Sequence, residues 1–204
     1  MTQGIREQNI RRIIDMEDRI CQCQRCTFLA KCVRKPSMGK GELEPDIILV
    51  FEYDNQFTKD LDKVISLRNQ IKQTFNLERV YHTFMVRCQP KACRVRSSVS
   101  CYADSKLLDK EYNCLLSNKP CDGIPINPSD EEIICCLPFL IEEIGILHPS
   151  YVVLFGDRVS EFVLKSYGVF EDIELNNSYK CDDMVFIAIS NEADFDPGAV
   201  KPLI

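Results

Sequence analysis

Four short, largely apolar runs constrain this chain more than anything else in it: residues 46–51 (DIILVF), 81–90 (YHTFMVRCQP), 151–155 (YVVLF) and 184–190 (MVFIAIS). Continuous apolar runs of this length are expected of strands covered on both faces. Between them lie helical patterns, at 58–75 with Leu61, Val64, Ile65, Leu67, Ile71 and Phe75 on one side, at 129–146 and at 159–167. Strand and helix in alternation predict right-handed βαβ units and a three-layer α/β/α sandwich around a four-stranded, mostly parallel sheet. In such a sheet ligands sit beyond the carboxyl ends of the strands.

A first helix is expected over 4–20, where Ile5, Ile10, Ile13, Ile14, Met16 and Ile20 recur with helical spacing. Ser129 and Glu132 stand three apart before an apolar run, the signature of a capping box. Residues 36–45 are turn-rich. At 204 residues the chain suits one domain, 1–204, with a sizeable buried core. Residues 91–127 break the rhythm and read as a Cys-rich insertion carrying Cys93, Cys101, Cys114 and Cys121. Their spacings, x7, x12 and x6, lack the paired knuckles of common zinc sites.

The chain holds 12 cysteines and starts MTQGIREQ, without the apolar stretch of a signal peptide. A disulfide framework is therefore not expected, and a reducing, cytoplasmic setting is. There, closely spaced cysteines more often hold metal. The segment 21–32 reads CQCQRCTFLAKC, and the C-x2-C at Cys23 and Cys26 lets two sulfurs converge from one tight turn. The second apolar run leads into Cys88, which a rigid strand end could present as a ligand. Cys135 and Cys136 lie near the start of the third helix. Cys181, at an expected strand start, reads as a small buried hydrophobe.

The net charge of −6 argues against non-specific coating of DNA, yet a local basic patch can still bind phosphates. Lys31, Arg34, Lys35, Arg87, Lys91, Arg94 and Arg96 are expected around the cysteine end. They would bind phosphates without reading sequence, or form a solvated face. No stretch is long and apolar enough to span a bilayer, and a monomer without membrane contact is expected.

In chain order, CQRCTFL, PDIILVFE, ERVYHTFMVRCQP, PSDEEIICCLPFL and HPSYVVLFG resemble successive motifs of the iron–sulfur uracil-DNA glycosylases, family four of that superfamily. The resemblance runs from about Cys23 to Tyr167. It implies a uracil-DNA-glycosylase-like fold and a structural 4Fe–4S cluster on Cys23, Cys26, Cys88 and Cys136, near the path of the DNA. Cys136 is preferred to Cys135 because it stands in the family's C-x-P frame, and Cys21 rivals Cys23 for the first position. Four thiolates suit Zn2+ equally; the resemblance alone turns the choice to iron.

The catalytic motifs depart from the family. Its glycosylases flip a uracil from the duplex and break the glycosidic bond. Such a site needs donors for the uracil oxygens and a carboxylate or positioned water near the sugar. Where the family has a Gly–Glu–x–Pro–Gly turn, this chain has Phe51, Glu52, Tyr53, Asp54 and Asn55, whose rings would crowd the pocket. Phe84 replaces the Asn that reads the uracil edge. His148-Pro149-Ser150 resembles the family's catalytic His loop but lies one strand early, and reads as a helix-to-strand turn. Ser190 or Asn191 stands where that His belongs, and His82 reads as a core residue. Glu52 and Asp54 could activate water, and Asn191 could donate to a base.

Three functions follow as expectations. The first is a DNA-binding relative, in repair or DNA metabolism, that keeps the cluster and has uracil excision lost or altered. The second is an active glycosylase acting on uracil or another damaged base. The third is a non-catalytic module that docks a protein partner through its Cys-rich insertion.

Overall fold

The computed structural model describes residues 2–26, 36–88, 91–92, 113–114, 118–120 and 124–204. In chain order the elements begin with α1 (Thr2–Cys21), β1 (Lys40–Gly41), β2 (Ile47–Phe51), α2 (Gln56–Lys59), α3 (Leu61–Phe75) and β3 (Val80–Phe84). Four two-residue strands follow: β4 (Lys91–Ala92), β5 (Asn113–Cys114), β6 (Lys119–Pro120) and β7 (Ile124–Pro125). They pair antiparallel, β4 with β7 and β5 with β6, apart from the main sheet. The chain then forms α4 (Asp130–Leu147), β8 (Tyr151–Phe155), α5 (Asp157–Ser166), β9 (Asn177–Cys181), β10 (Met184–Ile189) and α6 (Pro197–Val200).

The fold is α/β, with helices on both sides of a mixed sheet of order β1-β3-β2-β8-β10-β9. The four expected strands are its centre and run parallel, with Ile47 opposite both Val80 and Tyr151, and Val185 also opposite Tyr151. The expected four-stranded sheet is nevertheless incomplete, because antiparallel edges β1 and β9 extend it to six strands. Neither edge carries the apolar run that marks a covered strand. β1 is Lys-Gly, and β9 is NSYKC, buried at only Tyr179 and Cys181. Cys181 accordingly ends a strand rather than starting one, and it is buried as expected.

The two faces of the sheet carry separate apolar clusters. Ile48, Val50, Tyr81, Val152, Leu154, Phe186 and Ala188 pack beneath α1, α4 and α5. Ile47, Leu49, Phe51, Val80, Phe84, Val153, Phe155, Ile187 and Ile189 pack against Leu67, Ile71 and Phe75 of α3 and Val200 of α6. Strict alternation along β2 divides its five buried residues between the clusters.

On α1 the buried stripe is Asn9, Ile13, Met16 and Ile20, while Ile5 and Ile14 are exposed. Asn9 belongs to that stripe because its Nδ2 donates to the Leu43 carbonyl at 2.8 Å. The helix α4 starts as expected. Ser129 Oγ accepts from the Glu132 amide at 3.3 Å, and Glu132 Oε2 accepts from the Ser129 amide at 2.8 Å. His148 closes α4 in the left-handed conformation, φ 45°, its amide donating to the Ile144 carbonyl, so HPS is a helix-to-strand turn. Gly41 has φ 143°, and a β-carbon there would strike the Val80 carbonyl and Tyr81 Cα. Glycine is what lets the edge strand lie against β3.

Candidate metal centre and the carboxyl ends of the strands

β3 stops at Phe84 rather than running into Cys88. Met85, Val86 and Arg87, all buried, carry the chain onward. Met85 and Val86 amides still donate to the Phe51 and Glu52 carbonyls, at 2.7 and 2.8 Å, so the segment stays registered against the end of β2. This delivers Cys88 to a cavity lined by Ile20, Cys23, Cys26, Val86, Arg87, Cys88, Cys135, Cys136 and Phe139. Cys23 and Cys26 arrive from the turn after α1, and Cys135 and Cys136 from the second turn of α4. All four cysteines assigned through the resemblance thus wall one space, and Cys135 joins them. Cys21 is exposed and is not among the lining residues.

The donor set is soft: five thiols, with no carboxylate or imidazole in the lining. Thiolates of this kind suit zinc or an iron–sulfur cluster. Among the described residues, no three His, Cys, Asp or Glu side chains converge closely enough to share a single metal ion. The sulfurs surround the cavity instead. Burial, then the neighbouring Cys135, Cys136 and Cys23, push the Cys26 thiol up to about 12. Burial likewise raises Cys136, against the pull of the Arg87 amide, which donates to its Sγ at 3.3 Å, and of the Arg87 charge. A bound cation reverses that resistance to ionisation.

Behind the cavity lies a charge network that the sequence did not announce. Glu143, 1% exposed, accepts from Tyr81 Oη at 2.8 Å, from Thr83 Oγ1 at 2.5 Å and from Arg87 Nη2 at 2.5 Å. Arg87, expected on a phosphate-binding face, is itself 1% exposed and committed to this acid, so it cannot touch a nucleic acid. Its Nε and Nη1 are buried without a hydrogen-bond partner among the described residues. A buried guanidinium with two unpartnered nitrogens, on a residue that lines the five-thiol cavity, fits an anionic metal–thiolate group. Arg25, which lies inside the CQRC motif, is exposed at this end. It reaches the Cys135 carbonyl at 3.4 Å and lies 4.7 Å over the Phe139 ring. Of the other expected phosphate contacts, Lys31, Arg34, Lys35, Arg94 and Arg96 lie outside the described residues, and Lys91 is described only as backbone in β4.

The order of the parallel strands changes direction between β2 and β8, and a ligand crevice is expected beyond their carboxyl ends. Here that place is occupied by the chain's own side chains. Phe51 stacks on Phe155 with ring centroids 5.2 Å apart, and Phe84 lies 6.1 Å from Phe51. Tyr53 Oη donates to Asn127 Oδ1 at 2.8 Å. Arg158, at the start of α5, bridges Glu52 at 2.7 Å and Asp130 at 2.6 Å. Burial raises the Glu52 carboxyl above its ordinary range in spite of Arg158. Asp54 accepts from Thr58 Oγ1 at 2.8 Å, and Asn55 Nδ2 donates to Glu192 at 2.6 Å, joining the loops after β2 and β10. Asn191 is absorbed by its own turn. Its Oδ1 accepts from the Ala193 and Asp194 amides and its Nδ2 donates to Asp194. Glu52, Asp54 and Asn191 therefore share one end of the sheet, each already engaged.

No protein-family model matches the chain, and no curated protein matches it significantly. Among the described residues, no helix is long and apolar enough to cross a membrane.

Proposed function

We propose that this protein is a uracil-DNA-glycosylase-like iron–sulfur protein that binds DNA in a repair or DNA-metabolism setting, with uracil excision lost or altered. One observation carries the reading. Cys23, Cys26, Cys88 and Cys136, drawn from three separate stretches, wall one cavity with Arg87, whose buried guanidinium keeps two nitrogens without partners among the described residues. A 4Fe–4S cluster held there by Cys23, Cys26, Cys88 and Cys136 would cross-link those stretches and would supply no base chemistry. The parallel centre of the sheet supports a glycosylase-like three-layer core, to which the edge strands are additions.

The chain's own residues support a loss or alteration of excision. Arg158 holds Glu52 and Asp130, which keeps Glu52 from positioning a water. Phe51 and Phe84 are buried in the aromatic cluster at the strand ends and offer no polar group to a uracil edge, and Tyr53 is tied to Asn127. Arg25, exposed beside the cysteines, offers a phosphate contact.

Anaerobic purification, with an absorbance spectrum and iron and sulfide counts, tests the cluster. Brown protein with matched iron and sulfide is expected; zinc, or no metal, would overturn it. Binding to DNA should weaken steeply with salt and leave no abasic sites in uracil-containing single or double strands. Release of uracil would establish the active-glycosylase reading. The burial of Arg87 removes one expected phosphate contact, and absence of DNA binding at low salt would favour the protein-docking reading.

A further inference from the structure

The buried Arg87–Glu143 pair has no place in glycosylase chemistry, and its geometry is lopsided. Glu143 accepts from three donors, Tyr81, Thr83 and Arg87. Arg87 spends only Nη2 on it, leaving Nε and Nη1 buried and without partners among the described residues. Buried donors are seldom left so. The residue is held at the cysteine cavity from two directions. Its amide donates to Cys136 Sγ at 3.3 Å, and the next residue in the chain is Cys88. Arg87 itself lines the cavity.

Resting on the cluster reading above, we propose that Arg87 is the built-in counter-charge of the centre. Glu143 anchors it and partly offsets it, so the pair sets the reduction potential. Four thiolates make a loaded centre anionic, and reduction adds one electron's charge to it. A fixed cation nearby favours the reduced form, and a fixed carboxylate opposes it. Arg87 is thus a positioning and electrostatic residue rather than a ligand.

The experiment measures the one-electron midpoint potential, with dithionite and mediators, on wild type, Arg87→Met, Arg87→Lys and Glu143→Gln. Iron content and the spectrum of the reduced cluster are recorded in parallel. Arg87→Met should shift the potential downward, Glu143→Gln upward, and Arg87→Lys should stay near wild type. A merely structural role would not give shifts of opposite sign. Unmoved potentials in iron-loaded variants, or a Lys variant displaced as far as the Met variant, would overturn the proposal. Should Arg87→Met fail to fold or load, Glu143→Gln decides: a rise supports the proposal, and no change or a fall overturns it. Wild-type protein without iron would overturn the cluster reading and this proposal with it. Iron-loaded wild type with unresponsive potentials would overturn this proposal alone.

Discussion

His82 lets a pH effect be worked from the structure. It lies in β3 at 8% exposure, edge-on to Phe51 and Phe84 at 6.1 Å. Arg68 Nη1 stands 3.2 Å from its Nδ1. A guanidinium only donates, so Nδ1 accepts and the ring proton sits on Nε2. Burial first, then Arg68 and Lys40, lower His82 from 6.5 to about 4, with Asp54 opposing weakly. The folded form therefore binds fewer protons than the unfolded chain between those values. Stability from the neutral ring is complete above the unfolded value and is lost as pH falls through the window. Between pH 7.5 and pH 5 the loss should be about 2 kcal/mol. Urea unfolding followed by circular dichroism measures it as the difference between wild type and His82→Gln at each pH, which cancels the common carboxylates. The two proteins should converge by about 2 kcal/mol on acidification. Parallel pH profiles, within a few tenths of a kcal/mol, would refute the reasoning.

Other perturbations probe other links. Cys136→Ser and Cys88→Ser should abolish iron binding after anaerobic purification, whereas Cys135→Ser should retain it. Equal loss from Cys135→Ser would move the fourth ligand to that residue. Gly41→Ala should cost about 1–3 kcal/mol in urea unfolding and release β1 from β3, seen as faster amide exchange at His82, which pairs with Lys40. Ser129→Ala removes one half of the α4 capping box and should cost about 1 kcal/mol.

What the sequence reveals of this molecule follows from which residues advertise their surroundings. The runs 46–51 and 151–155 are apolar without alternation because both faces of β2 and β8 are covered, so composition alone identifies them. β9 is half solvated and β1 rests on two residues and a glycine, so neither produces a pattern. The cysteines were legible as pieces, since Cys23 and Cys26 form a C-x2-C just after α1, Cys88 follows the apolar run of β3, and Cys136 lies early in α4. That Cys135 joins Cys136 was not, because neighbouring helical residues ordinarily diverge. Glu143 left a trace: Ile133, Cys136, Leu140, Glu143 and Leu147 recur at helical spacing, with an acid where an apolar residue belongs. Its neighbour Glu142 faces outward and pairs with Arg19 of α1 at 2.5 Å. The burial of Arg87 was hidden, because a basic residue beside a cysteine reads as surface until the acid across from it is placed.

The two margins of the sheet bear on how the molecule can associate. A strand from another chain needs a run of unsatisfied backbone donors and acceptors to join. β1 presents only Lys40 and Gly41, and β9 closes on the acidic turn at Asp182 and Asp183. Edges this brief or this charged discourage end-to-end ladder growth. Of the two edges, β1 leaves the shorter ladder for another strand to extend, and β9 the longer one, bordered by those acids.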